Sequence, residues 1–453
     1  MKVLLVSANK TGFPYPVYPL GLDHVAGAIS PPHEVRILDL CPVPEDGVAE
    51  AIAGEIREFA PDAVGLSIRN IDNNDATAAE ALLAPARGAV QRIRAATRAP
   101  VVLGGAGFTL FPDELMGALG ADFGVVGEGE QARALFDALA SRRSPLGLPG
   151  VVARGHPAPR PAPLPCALPP RAAPGVNPAL GFYRSRGGIL NLQTQRGCAF
   201  RCVYCTYPAI EGRELRRFQV DQVAGVALEL EAVGARFLFV TDSVFNGDPC
   251  HAEAVAAAFR RVGLRVPWGA FFAPTDPPDG FYRRMAEAGC SHVEFGTESL
   301  SDAMLPRLRK AFRRADVLAA HRAAVSSGLH VAHFLLLGGP GETLETLDET
   351  LDAAEALDGA ALFFFCGMRI YPRTELEEIA RRDGQVRDGQ SLLEPVFYEP
   401  TGLPLREIAA RVERRAEGRM SWIVGSGADR AAALVARLHQ RGHAGPLWER
   451  LVA

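Results

Sequence analysis

Along residues 1–143 the apolar positions fall in short runs that do not alternate with polar ones. They are Val3-Leu-Leu-Val-Ser7, Glu34-Val-Arg-Ile-Leu38, Ala63-Val-Gly-Leu-Ser67, Pro100-Val-Val-Leu103 and Phe123-Gly-Val-Val126. Runs of this kind suit parallel strands covered on both faces. Helical stretches such as Glu80 to Arg94 separate them. The pattern predicts a five-stranded, doubly wound α/β domain of Rossmann-like type.

The alternation resumes at Ile189. Strands are expected at 189–195, 236–241, 268–272, 292–295, 331–337 and 361–366, and helices at 221–234, 249–263, 279–289, 314–327 and 343–357. Six such units can curl into a partial (β/α)6 barrel, although six strands also fit an open sheet. Residues 144–186 are rich in proline (Pro157, Pro159, Pro161, Pro163, Pro165, Pro169 and Pro170) and read as a linker. Residues 395–453 read as a helical C-terminal region, with helices at Leu405–Met420 and Ala431–Gln440. The expected domains are therefore 1–143, the linker 144–186, the barrel 187–394 and the helical region.

Composition narrows the picture little. The 453 residues are 48% hydrophobic and 22% charged, an ordinary globular balance. A net charge of −4 gives no reason to expect nucleic acid or an anionic membrane as a partner. The opening Met-Lys-Val-Leu-Leu-Val-Ser reads as a strand and not a leader, and no apolar run reaches the length of a membrane span. The expectation is a cytoplasmic protein with reduced thiols. Of eight cysteines three cluster, while Cys41, Cys166, Cys250, Cys290 and Cys366 are scattered, which argues against a disulfide framework.

The clustered three are Cys198-Ala-Phe-Arg-Cys202-Val-Tyr-Cys205. Three thiolates on one loop can hold three irons of a [4Fe-4S] cluster and leave the fourth open to a substrate or cofactor. A zinc site with a distant fourth ligand is the alternative.

The stretch Gln193 to Cys205 resembles the cluster loop of radical S-adenosylmethionine enzymes, and it follows the first barrel strand as in that family. Thr241-Asp-Ser-Val-Phe-Asn246, Glu294-Phe-Gly-Thr-Glu-Ser299, Gly338-Gly-Pro-Gly-Glu-Thr343 and Tyr371-Pro-Arg-Thr-Glu-Leu376 are similar to the family's later strand-end turns, in order. The resemblance implies Cys198, Cys202 and Cys205 as cluster ligands and S-adenosylmethionine on the open iron. It also implies an electron donor such as flavodoxin or ferredoxin. It places Tyr204 against the adenine and Asp242 and Ser243 at the methionine amino group. Glu298 would meet the ribose hydroxyls, with Gly296 and Gly338 in the cofactor-lining turns. A cation among Arg307, Arg309 and Lys310 would meet the carboxylate. Plainer readings stand beside these. Glu298 can cap the next helix, Tyr204 can be a packing aromatic, and Gly338–Gly341 can be a simple turn. Cys290 and Cys366 read as small buried hydrophobes and His333 as a core histidine.

Pro19-Leu-Gly-Leu22, Leu103-Gly-Gly-Ala-Gly107 and Val126-Gly-Glu-Gly-Glu130 resemble the cobalamin-binding domain that precedes many radical S-adenosylmethionine enzymes. On this likeness Gly104, Gly105, Gly127, Glu128 and Gly129, with Ser67, Arg69 and Asn70 after the third strand, would line the cofactor. The Asp-x-His-x-x-Gly motif that supplies a cobalt ligand is absent, and His24 and His33 stand in the wrong context. The resemblance therefore implies cobalamin with its nucleotide tail displaced and no histidine on cobalt, or a domain that has lost the cofactor. The function it implies is methyl transfer to an unactivated carbon of a small metabolite or lipid precursor through a 5′-deoxyadenosyl radical. Non-methylating radical chemistry on the same architecture is the alternative: ring contraction, cyclisation, carbon–carbon coupling or aminocarboxypropyl transfer. A non-catalytic sensor would need an effector module, and none is recognisable.

Overall fold

The computed structural model describes residues 1–12, 15–156, 166–173, 175–425 and 429–452. Pro157, Pro159, Pro161, Pro163 and Pro165 of the proline-rich stretch lie outside the described residues. Five expected strands form the first sheet: β1 (Lys2–Ser7), β2 (Glu34–Asp39), β3 (Ala63–Ser67), β4 (Val101–Gly104) and β5 (Phe123–Val125). The order is β2-β1-β3-β4-β5 with all neighbours parallel. A sixth strand, β6 (Val151–Ala153), adds an antiparallel edge beside β5. It lies in the stretch read as linker, where three residues among glycines and prolines carry no legible period.

The second sheet has seven strands, one more than expected. In chain order they are Ile189–Leu192, Phe237–Val240, Trp268–Phe272, Cys290–Glu298, His330–Leu337, Ala360–Cys366 and Trp422–Val424. All pairs are parallel, and the seventh strand joins the sixth in the register Leu362↔Trp422. The region read as helical thus supplies a barrel strand between its two helices, Leu405–Ala416 and Asp429–Gln440. The first strand is also shorter than expected. It ends at Leu192, and Gln195–Arg196 turns aside to pair antiparallel with Arg216–Arg217.

Parity along the strands decides what each face does. Leu190, Leu238, Ala270 and Leu335 point outward into one core with Val223, Ala227, Val255 and Phe259 of the surrounding helices. Residues of the opposite parity face the barrel lumen. The helices start where capping chemistry allows: Asp248 accepts from Cys250 N at 3.0 Å ahead of Pro249, and Thr343 caps the helix Leu344–Ala354. Arg171 fastens the domains together. It pairs with Asp23 at 2.7 Å on helix α1 (Leu20–Ile29) and donates to the Asn191 carbonyl at 2.9 Å in the first barrel strand.

Candidate functional site

The cysteine loop begins at a residue that only glycine can fill. Gly197 has φ +87°, and a Cβ there would lie 2.0 Å from the Glu214 carbonyl oxygen. Cys198 is buried, and Cys202 and Cys205 are partly exposed. Burial raises all three thiol pKa values, Cys205 to about 12, and Lys310 works against this at each. Among the described residues no three His, Cys, Asp or Glu side chains converge on one point.

Around the loop the expected residues take distinct positions. Glu298, at φ +57°, accepts from the Tyr204 hydroxyl and from Lys310 at 2.8 Å. Burial works against the charge of Lys310, and Glu298 with Cys202 more than offsets it. Of the three candidate cations Lys310 is the one at the cysteines, since Arg309 pairs with Glu375 and Arg307 donates to the Gly341 carbonyl. Glu298 is therefore a partner of the loop and not a helix cap. Ser243 donates to Glu211 at 3.2 Å. Asp242 departs from its expected place at a cofactor amino group. It is 1% exposed, and its oxygens accept from Thr194 N at 2.7 Å, Thr194 Oγ1 at 2.5 Å and Gln195 N. Burial raises it to about 7, and its work is to fix the backbone that launches the loop. Gly338, at φ +90°, sits in a turn closed on itself. Its N–H and that of Gly339 donate to the buried Glu342. Gly296 lies beside Glu298 on the lumen side of the fourth strand.

The glycine turns of the first sheet gather at its carboxyl edge. Ser67, Gly104, Gly105, Gly127, Glu128 and Gly129 line a cleft of about 950 Å³ that runs between the sheet and α1. Gly105 has φ +101°, and a Cβ there would meet the Ile68 carbonyl oxygen at 2.5 Å. Arg69 and Asn70 line a neighbouring cleft of about 1570 Å³ that Ser67 shares. Arg69 and Tyr207 keep much of their surface open, Tyr207 39%. The surrounding protein lowers the pKa of Arg69 and raises that of Tyr207 to about 12.

Glu128 has a second task. Arg196, two residues ahead of Cys198, donates to Glu128 and Glu130, each at 2.7 Å, and Arg216 also pairs with Glu128. Burial by itself would lower Arg196, but Glu130 and Glu128 hold its pKa raised. Glu211 accepts from Gly197 N at 3.2 Å and from Gln193 at 3.1 Å, and burial raises it. A second bridge joins Asp72 to Arg369 at 2.8 Å and Tyr371 to Asn74 at 2.7 Å. Sequence reasoning gave Glu211, Arg369 and the pairing role of Arg196 no part. The only available signal was the adjacency of Arg196 to the glycine and cysteine of the loop.

The three cofactors implied by the resemblance fit these residues. The sheet-edge cleft has bare glycine walls and one orphaned polar atom. His24 Nδ1 lies 3.3 Å from the Pro170 carbonyl, and its buried Nε2 has no partner. A large, partly apolar ligand with scattered polar groups suits such a cleft. At the cysteine loop the three thiols, Lys310 and Glu298 supply soft ligands and both signs of charge.

Comparison with known proteins agrees with this division. Residues 7–136 match the B12 binding domain and residues 192–354 the radical SAM superfamily. The chain is 27% identical to tryptophan 2-C-methyltransferase of Streptomyces laurentii over 79% of this chain and 71% of that one. It is 27% identical to cytidylyl-2-hydroxyethylphosphonate methyltransferase of Streptomyces wedmorensis over 91% and 89%. Among solved structures, the radical S-adenosylmethionine methyltransferase TsrM from Kitasatospora setae, with cobalamin and a [4Fe-4S] cluster bound, superposes with a TM-score of 0.88. The identity is 25% over 99% of this chain and 97% of that one. The cobalamin-dependent radical enzyme OxsB shares the fold at a TM-score of 0.70 and 16% identity, over 88% of this chain and 64% of that one. With a cysteine loop at the mouth of a parallel barrel and a glycine-rich sheet edge clasped to it, the chain carries a B12-binding domain ahead of a radical SAM domain.

Proposed function

We propose that this protein is a cobalamin-dependent radical S-adenosylmethionine methyltransferase acting on a carbon of a small molecule. The observation that carries the reading is the Arg196 ion cluster. One guanidinium ties the glycine turn Gly127–Gly129 of the sheet edge to the residue before the cysteine loop. Bound together, the cluster would supply the electron, S-adenosylmethionine the methyl group and the radical precursor, and cobalamin the methyl carrier. Cys198, Cys202 and Cys205 would hold the cluster. Tyr204, Ser243, Gly296, Glu298 and Gly338 would line S-adenosylmethionine, with Lys310 for its carboxylate. Ser67, Arg69, Asn70, Gly104, Gly105, Gly127 and Gly129 would line the corrin and its nucleotide tail.

The chain's own residues set the geometry. Asp242 fixes Thr194 and Gln195, Glu211 holds the Gly197 N–H, and Lys310 and Glu298 brace Tyr204. These groups brace one another before any ligand arrives, which limits reorganisation on binding. The names of the two Streptomyces relatives support a small-molecule acceptor. Electrons for the cluster would come from a flavodoxin- or ferredoxin-type donor. No helix among the described residues is long and apolar enough to cross a membrane.

The test is anaerobic reconstitution with iron, sulfide and cobalamin, then S-adenosylmethionine and reductant. Release of S-adenosylhomocysteine or 5′-deoxyadenosine that requires the cluster supports the reading, and Cys198→Ala abolishes it. Failure of the loaded protein to consume S-adenosylmethionine, or failure to take up any corrin, refutes it.

A further inference from the structure

The fourth barrel strand falls out of step with the fifth just where Glu298 stands. Over most of their length the two pair residue for residue, from His292↔His330 to Gly296↔Phe334. The next pair is Glu298↔Leu335, so Thr297 is an extra residue, a bulge in a parallel ladder. Glu298 itself has φ +57°, a left-handed backbone that a residue with a Cβ adopts only under constraint. Ser299 N–H closes a tight turn around it on the Thr297 carbonyl at 2.8 Å. Bulges beside active sites re-aim side chains. The one re-aimed here is Glu298, whose carboxylate accepts from the Tyr204 hydroxyl and from Lys310.

Such a backbone persists only where its surroundings over-determine it. Two buried anchors flank Glu298. On one side Thr297 Oγ1 bonds to His333 Nδ1 at 2.8 Å, and His333 Nε2 meets His321 Nδ1 at 3.1 Å on the helix Arg314–Ser326. The second nitrogen of His321 meets the backbone of Asp358 in the sense that favours its N–H. Burial holds both rings below the ordinary histidine pKa, so each is neutral and carries a single N–H. His321 therefore donates to the Asp358 carbonyl, His333 to His321, and the Thr297 hydroxyl to His333. On the other side Ser299 Oγ bonds to Thr350 Oγ1 at 3.0 Å, on the helix Leu344–Ala354. Leu300 N–H donates to the same Thr350 oxygen at 3.3 Å. Thr297, Ser299, His321, His333 and Thr350 are all at most 3% exposed.

We propose that Thr297, backed by His333 and His321, is a positioning residue for Glu298. The buried relay holds the bulge, and the bulge holds the carboxylate where it braces Tyr204 and meets the ribose of S-adenosylmethionine. The inference rests on the proposed place of Glu298 in the S-adenosylmethionine site. The cysteines stand on a different loop, so the relay governs nucleoside binding and leaves cluster assembly alone.

The test is a double-mutant cycle on the reconstituted full-length protein. S-adenosylmethionine affinity by calorimetry, the melting midpoint and the cluster absorption are read on every sample. Thr297→Val keeps the shape and removes the hydroxyl, whereas Thr297→Ser keeps the hydroxyl. The expected result is an affinity lower by about tenfold in Thr297→Val, with cluster absorption unchanged, and within about twofold of the parent in Thr297→Ser. Added to Glu298→Gln, Thr297→Val causes no further loss. Val331→Ala, in the buried core beside the same strand, lowers the melting midpoint and leaves the affinity as it was, which separates positioning from stability. Where Thr297→Val does not fold, Thr350→Val tests the other anchor, with the same loss expected. Unchanged affinity, an equal loss in Val331→Ala, or an effect that persists in full beside Glu298→Gln overturns the proposal. A parent that assembles its cluster and binds no S-adenosylmethionine overturns the reading of the site as well.

Discussion

Replacing Arg196 by methionine removes the one cation that faces both Glu128 and Glu130 across the domain boundary. Arg196 is 7% exposed, and the side chains of Glu128 and Glu130 are 10% and 13% exposed. Removing one partner of a buried ion pair costs about 3–5 kcal/mol, because the remaining charge stays desolvated. Glu128 keeps Arg216, so the uncompensated charge is chiefly that of Glu130, and the lower end, about 3 kcal/mol, applies. At about 2.1 cal/mol/K per residue, unfolding 453 residues carries an entropy of roughly 1 kcal/mol/K, so this lowers the midpoint of thermal unfolding by about 3 °C. The assay is calorimetric or fluorescence-monitored melting of the reconstituted protein, with proteolysis to locate the opening. The double variant R196M/E130Q keeps the Glu128–Arg216 pair, removes the uncompensated charge of Glu130 and recovers most of the loss. Because the pairs are buried, added salt changes the parent little. A loss under about 0.5 kcal/mol in R196M, or a double variant no more stable than the single one, would refute the account.

Three further outcomes follow from other parts of the molecule. Cys198→Ala is expected to abolish the iron–sulfur absorption after reconstitution while leaving corrin uptake intact, and unchanged visible absorption would contradict the ligand assignment. His333 is buried between Thr297 at 2.8 Å and His321 at 3.1 Å, and burial holds its pKa below 6.5, so it folds neutral. Its contribution is complete above about pH 6.5 and fades as pH falls, so the stability gap between the parent and His333→Gln in urea should shrink from pH 7.5 to 5; a gap that widens counts against it. Gly105→Ala puts a methyl group within 2.5 Å of the Ile68 carbonyl at φ +101°, so destabilisation and weaker corrin uptake are expected together, and an unaffected variant would show that the cleft yields freely.

The parallel strands were legible because Val3-Leu-Leu-Val and Ala361–Phe365 are apolar runs bounded by turn residues, and helical period marked their partners. Two strands of the large sheets escaped notice for a common reason. Val151–Ala153 and Trp422–Val424 are three residues each, too short for any period. The cysteines and the glycine turns were readable as chemistry since their spacing is local. Asp242 was misread because a carboxylate at a strand end looks the same whether it meets a ligand or, as here, the backbone at Thr194. Glu211 carried no signal at all. Its role depends on Gly197, 14 positions away, and Ser243, 32 positions away.

The pairing of Leu362 with Trp422 has a consequence for biosynthesis. About 60 residues separate the sixth strand from the seventh, and at about 5–20 residues per second a ribosome needs roughly 3–12 s to deliver them. Through that interval the nascent barrel has six strands, an unpaired edge along Leu362–Phe364 and none of the turn Trp448–Leu451 that packs on Ala332, Ala361 and Ile423. Vectorial synthesis thus presents the cysteine loop and the glycine edge before that end of the barrel is covered. The order of translation leaves the base of the barrel to close last.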